Sequence, residues 1–97
     1  MEMNAPINVT VETFQTDVIE KSQSIPIVVL FWAEQIPQSV QGKSLLEQLL
    51  AEYQGKFVLA LSDVAIDQNL AQRLQVQGLP SIRIIHLGQM VEQIDGP

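Results

Sequence analysis

The chain contains no cysteine. That absence excludes a disulfide, a thiolate nucleophile, a zinc ribbon and dithiol redox chemistry within these 97 residues. Basic residues are scarce as well. Lys21, Lys43, Lys56, Arg73 and Arg83 are the only five, against 11 acidic residues, for a net charge of −6. They stand singly, so no basic patch supports phosphate-driven nucleic-acid binding, and the acidic balance repels anionic lipid. Long apolar runs are missing too. The longest, residues 25–33 with Pro26 inside it, falls well short of the roughly 20 residues of a membrane span. The N-terminal Met1-Glu2-Met3-Asn4 has no basic start and no apolar segment, so no signal peptide is expected and a cytoplasmic location is. No repeat, linker or charge block is visible.

What is present is a chain of globular composition, 46% hydrophobic and 16% charged. Its length suits one domain and one core. Residues 7–9 form a strand candidate. Thr10 is then placed as a helix N-cap, with Glu12 adding favourable charge and Phe14, Val18 and Ile19 at helical spacing up to Ser22. Residues 25–32 are a continuous run of β-formers, which fits a strand covered on both faces. Pro37 stops it and suits a helix start. Leu45, Leu46, Leu49, Leu50 and Tyr53 make an apolar helical stripe ended by Gly55. Gly42 loosens the early turns of that helix.

A strand at 57–61 follows, then a short helix capped by Asp67 and carrying Leu70, Ala71 and Leu74. Gly78-Leu79-Pro80 interrupts the pattern. A strand at 81–86, a turn at Leu87-Gly88-Gln89 and a strand at 90–94 complete a terminal hairpin. The order β-α-β-α-β-α-β-β predicts an α/β sandwich around a mixed sheet.

The run Val29-Leu30-Phe31-Trp32-Ala33-Glu34 resembles the strand that leads into the active-site turn of thioredoxins. Ala51-Glu52-Tyr53-Gln54-Gly55-Lys56 resembles the end of that family's long helix. Ile66-Asp67-Gln68-Asn69 and Gly78-Leu79-Pro80-Ser81 resemble the approach to its cis-proline loop. These blocks occur in the family's order over nearly the whole chain, and they imply a thioredoxin-like three-layer sandwich.

The departures fall on the chemistry. Where the family carries Cys-X-X-Cys this chain has Ile36-Pro37-Gln38-Ser39, a degenerate active site. Leu30 and Leu61 stand where the family buries an aspartate with a nearby lysine. Without a thiol to serve, a buried carboxylate is only destabilising unless paired. Ser44 replaces the proline that kinks the family's helix.

The chain is more closely similar to the N-terminal domain of bacterial thioredoxin-like co-chaperones that carry tetratricopeptide repeats. Phe57-Val58-Leu59-Ala60, Gly88-Gln89 and Gly96-Pro97 carry that similarity. In those proteins a further helix and the repeats follow Gly-Pro. The expectation is therefore one thioredoxin-like domain over residues 1–97, cut before its last helix. One sheet face would then lie under a single helix, a possible surface for self-association.

The resemblance implies a cis Leu79–Pro80 bond that presents backbone groups to an extended peptide by strand-like pairing. Trp32, Ile36, Pro37, Leu79 and Pro80 would line that groove. Ser39 reads plainly as a helix N-cap. The rival is a nucleophile or a holder of a glutathione thiol, which needs a neighbouring base, and the only histidine is His86 on a late strand. Asp63 and Asp67 are too few for a metal site. Arg83 is anomalous within an apolar strand; its stem can lie on apolar surface with the head in water, on a face the sequence leaves open.

The resulting expectation is a redox-inactive module, not an enzyme, without cofactor or metal. It would hold unfolded or extended clients beside a larger chaperone. Glutathione binding through Ser39 and a structural dimerisation domain are the alternatives.

Overall fold

The computed structural model describes residues 5–53 and 55–96. Residues 1–4, Gln54 of the Ala51 to Lys56 run and Pro97 of the Gly-Pro pair lie outside the described residues. Strand β1 is Ile7–Asn8, β2 is Ile27–Trp32, β3 is Val58–Asp63, β4 is Ser81–His86 and β5 is Gln89–Asp95. The sheet order is β1-β3-β2-β4-β5. β1 and β2 run parallel to β3, β4 runs antiparallel to β2, and β5 closes the hairpin with β4. Helix α1 is Pro37–Glu52 and helix α2 is Asn69–Arg73. The mixed sheet between helices is the thioredoxin-like α/β sandwich that the sequence implies.

β2 is central, and its continuous apolar run follows from burial on both faces. Ile27, Val29 and Phe31 pack with Val18, Leu70 and Ala71 on one face. Leu30 packs with Leu50, Leu59 and Leu61 on the other. Leu30 and Leu61 are register partners on adjacent strands and both are buried. They fill with hydrocarbon the place where the family resemblance puts an acid and a lysine. Among the described residues α1 alone lies on this second face. Val28, Ile82 and Ile84 are only half-buried there, and Ile94, the register partner of Ile82, is exposed.

Four local expectations change. Thr10 is not an N-cap: its N–H donates to the Thr13 hydroxyl at 3.0 Å. The helical segment then winds wide, as a π-helix over Gln15–Glu20, and tightens to a 3-10 turn over Lys21–Gln23. That end is tied to the distant hairpin. Leu87 N–H donates to the Ser22 carbonyl at 2.7 Å and Gly88 N–H to the Ser22 hydroxyl at 2.9 Å. The apolar stripe of α1 is narrower than expected, since Leu45 at its edge and Tyr53 just past its end are exposed. Gln68, and not Asp67, occupies the N-cap position of α2. The Asp67 carboxylate instead joins two segments, accepting N–H bonds from Asn69 and from Val11, each at 3.0 Å.

Arg83 lies on the first face, between Ser81 and Ile85, the other buried residues of β4. It is fully buried, head included, because all five of its N–H groups find acceptors. They go to the carbonyls of Leu74, Gln75 and Ile82 and to the Asp95 carboxylate at 2.9 Å. The expectation of a head reaching water is thereby corrected.

Candidate functional site: the start of α1 and the Leu79–Pro80 loop

At the end of β2 the chain turns through Glu34 and Gln35 into α1. Ile36 holds the N-cap position in an extended conformation, φ −109° and ψ 96°, with no side-chain capping bond. Pro37 follows as the first helical residue, where its missing N–H and fixed φ fit. Ile36 is 39% exposed, and Pro37 and Gln38 are exposed beside it.

Ser39 is the correction at this site. It lies within the first turn, not at its cap, and is fully buried. Its hydroxyl accepts the Ala33 N–H at 3.0 Å and lies 2.8 Å and 2.7 Å from the Ala33 and Ile36 carbonyls. The residue closes the strand-to-helix turn by satisfying its backbone. A hydroxyl so enclosed offers neither a nucleophile nor a donor to a thiol ligand. Ser39→Ala is expected to lose about 1–3 kcal/mol, the desolvation penalty of the polar groups left unpaired. Thermal melting checks it; an unchanged midpoint would mean that the turn holds itself.

Pro80 lies against the second turn of α1. An ideal Cβ on Gly42 of α1 would stand 3.4 Å from the Pro80 ring. At that distance a side-chain carbon would make ordinary van der Waals contact, so the packing of Pro80 on α1 does not itself require glycine at 42. The Leu79–Pro80 peptide is cis. On the other side of the loop, an ideal Cβ on Gly96 would fall 2.0 Å from the Pro80 carbonyl oxygen, so only glycine fits. The Leu79 N–H and C=O make no hydrogen bond among the described residues. Leu79 and Gly78 help line a shallow depression of about 210 Å³ with Val64, Ala71 and Val76.

Trp32 is placed apart from that depression. It is half-buried in a separate cavity of about 250 Å³ with Asn8, Leu61 and Asp63. Lys43 lies 5.1 Å from its ring centroid and pairs with Glu47 at 3.2 Å. The Trp32 indole N–H is buried without a partner among the described residues. Asp63 caps its own turn by accepting the Ala65 N–H. Among the described residues no group of three or more His, Cys, Asp or Glu side chains is arranged to hold a metal ion. No helix among them is long and apolar enough to cross a membrane.

Sequence reasoning missed how the loop is held. The Asp95 carboxyl lies below its ordinary pKa, first through the Arg83 hydrogen bond and against a burial effect that raises it. The Ser81 hydroxyl, the Arg83 charge and the Gln77 backbone N–H also lower it. A lowered carboxyl pKa means that the pair stabilises at neutral pH and is released as acid takes Asp95 through its folded pKa. The available signal was an arginine at an inward position of an apolar strand with an acid on the neighbouring strand.

Comparison with known proteins adds the following. The thioredoxin family profile matches residues 5–97. An uncharacterized protein of Mycobacterium tuberculosis is 31% identical over 88 residues, 91% of this chain and 29% of that protein. The thioredoxin of Chlorobaculum thiosulfatiphilum is 29% identical over 87 residues, 90% of this chain and 79% of that one. Thioredoxin C-2 of Corynebacterium nephridii is 30% identical over 87 residues, with the same two coverages, 90% and 79%. The chain therefore spans less than a third of the mycobacterial relative.

Proposed function

The chain belongs to the thioredoxin family, and from that premise we propose that it is a redox-inactive module that holds extended polypeptide. Its place would be in a co-chaperone acting on unfolded clients in the cytoplasm. Classical dithiol exchange has no nucleophile here, because no cysteine is present. One observation carries the binding reading: Leu79 keeps a backbone donor and an acceptor unpaired. A peptide laid alongside can pair with both, as an added strand does, and needs no sulfur. Ile36 and Pro37 are exposed at the start of α1 and Leu79 and Pro80 are half-buried; together they would supply apolar contact to such a chain. The glutathione alternative loses its support with the enclosure of the Ser39 hydroxyl.

The test is titration with reduced, carboxymethylated α-lactalbumin, a permanently extended chain without reactive thiols, followed by amide chemical shifts. Saturable shifts at Gly78 and Leu79 are expected. Ile36→Glu is expected to weaken binding about tenfold, since it puts a charge against an apolar contact. Shifts absent from the loop, or an Ile36→Glu variant that binds equally well, would refute the reading.

A further inference from the structure

The segment between α2 and β4 has almost no regular structure, yet it is anchored at successive points. Arg83 Nε and Nη2 lie 3.3 Å and 3.1 Å from the Leu74 carbonyl, and Nη2 also reaches that of Gln75 at 3.2 Å. Gln75 has a φ of 57°, a left-handed conformation that a non-glycine residue adopts at a price. The Asp95 carboxylate draws on the Gln77 N–H. The Ser81 hydroxyl donates to the Gly78 carbonyl and accepts the Gly96 N–H at 3.4 Å. Gly96 backs directly on the Pro80 carbonyl. Leu74, Gln75, Gln77, Gly78 and Pro80 are therefore each held from β4 or from the end of β5, while Leu79 alone keeps both backbone groups open.

A buried arginine is a poor way to gain stability, since desolvation offsets most of its attraction. What this one does is join three segments in one arrangement. Its partner is on β5, 12 residues further along the chain, and its carbonyl acceptors are 8 and 9 residues back. The end of β5 thereby reaches the loop through Asp95 and Gly96.

We propose that the Arg83–Asp95 pair is a positioning clamp for the 75–80 loop, fixing the open backbone of Leu79 in the orientation that receives an extended chain. The pair touches no client itself. The inference rests on the peptide-holding reading for its purpose, but the clamp is measurable without any client.

The experiment compares the wild-type chain with Asp95→Asn, which keeps shape and loses charge. Amide hydrogen exchange is read at Gln77, whose N–H acts on the Asp95 carboxylate, with Val29 and Leu59 in the central strands as the internal control, and backbone 15N order parameters are read at Gly78 and Leu79, whose N–H groups are open. Gln77 is expected to exchange about tenfold faster relative to the core amides in the variant, as local opening no longer breaks a charged bond, and the order parameters of Gly78 and Leu79 are expected to fall. Affinity for carboxymethylated α-lactalbumin, measured well below the melting midpoint of the variant, is expected to fall by a similar factor; the midpoint itself is expected to drop, because Arg83 stays buried without its counter-charge. Ser81→Ala is the second variant. It removes the Gly78 anchor and leaves the ion pair, so the loss of order should be confined to Gly78 and Leu79 while Gln77 keeps its exchange rate.

Unchanged Gln77 exchange in Asp95→Asn overturns the clamp, as does a Gln77 rise no greater than that of the core amides. Faster Gln77 exchange with unaltered client affinity overturns its role in positioning. A wild-type chain that binds no client defeats the peptide-holding reading alone, and the exchange rates still decide the clamp. If Asp95→Asn does not fold, Ser81→Ala decides: unchanged order parameters at Gly78 and Leu79 overturn the anchoring, and a fall confined to them supports it.

Discussion

Leu30→Asp is expected to lower the melting midpoint by about 15 °C or more at neutral pH. Leu30 is wholly buried among Leu50, Leu59 and Leu61. Ionised aspartate there would have lost its water and found no cation, and neutral aspartic acid would still lack the packing of the leucine. The two terms together reach several kcal/mol. In a domain of this size each kcal/mol shifts the midpoint by roughly 4–8 °C. The sign of the pH dependence identifies the cause. Burial raises the carboxyl pKa in the folded state, so the penalty is full above that raised value. It shrinks as protonation sets in on acidification. The variant should therefore melt closer to the parent at about pH 5 than at about pH 8. Adding Leu61→Lys, on the neighbouring strand in direct register, should recover part of the loss at neutral pH by pairing the charge. A midpoint equal to the parent's at neutral pH would show that the leucine pair does not carry the second face of the sheet.

The second expected result is an absence of catalysis. With dithiothreitol as reductant, insulin precipitation should run at the same rate with or without this chain. Exchange at a disulfide requires a thiolate, and the chain has none. The positive arm restores sulfur to the two positions flanking Pro37 and Gln38. Ile36→Cys would place one thiol at the exposed N-cap, where the helix dipole favours the anion, and Ser39→Cys a second, buried in the first turn. The double variant should accelerate precipitation above the reagent's own rate. Acceleration by the unaltered chain would overturn the redox-inactive reading outright.

Much of the architecture was legible from the chain alone. The run before Trp32 announced a strand buried on both faces, and the pleat of β2 alternates its residues between two apolar clusters. Pro37 marked the start of α1 because its geometry fits only there. The missing cysteines excluded one chemistry before any fold was known. These are local or compositional properties, carried by side-chain type and by spacing over a few residues, and they do not depend on what the chain meets later.

What the sequence left undecided were the partners of polar groups. Ser39 has the look of a cap, but the neighbouring carbonyls of a tight turn enclose its hydroxyl. Asp67 satisfies Val11, 56 residues away. The helix ending at Gln23 tightens against a hairpin turn more than 60 residues on, since Ser22 bonds Gly88 at |i−j| = 66. Arg83 could have faced water or core, and only the arrival of Asp95 and the carbonyls of Leu74 and Gln75 makes the interior tolerable for it. A buried polar group takes its role from whichever donors and acceptors the closed chain brings within about 3 Å. Chain closure over long separations decides that, and no local pattern encodes it.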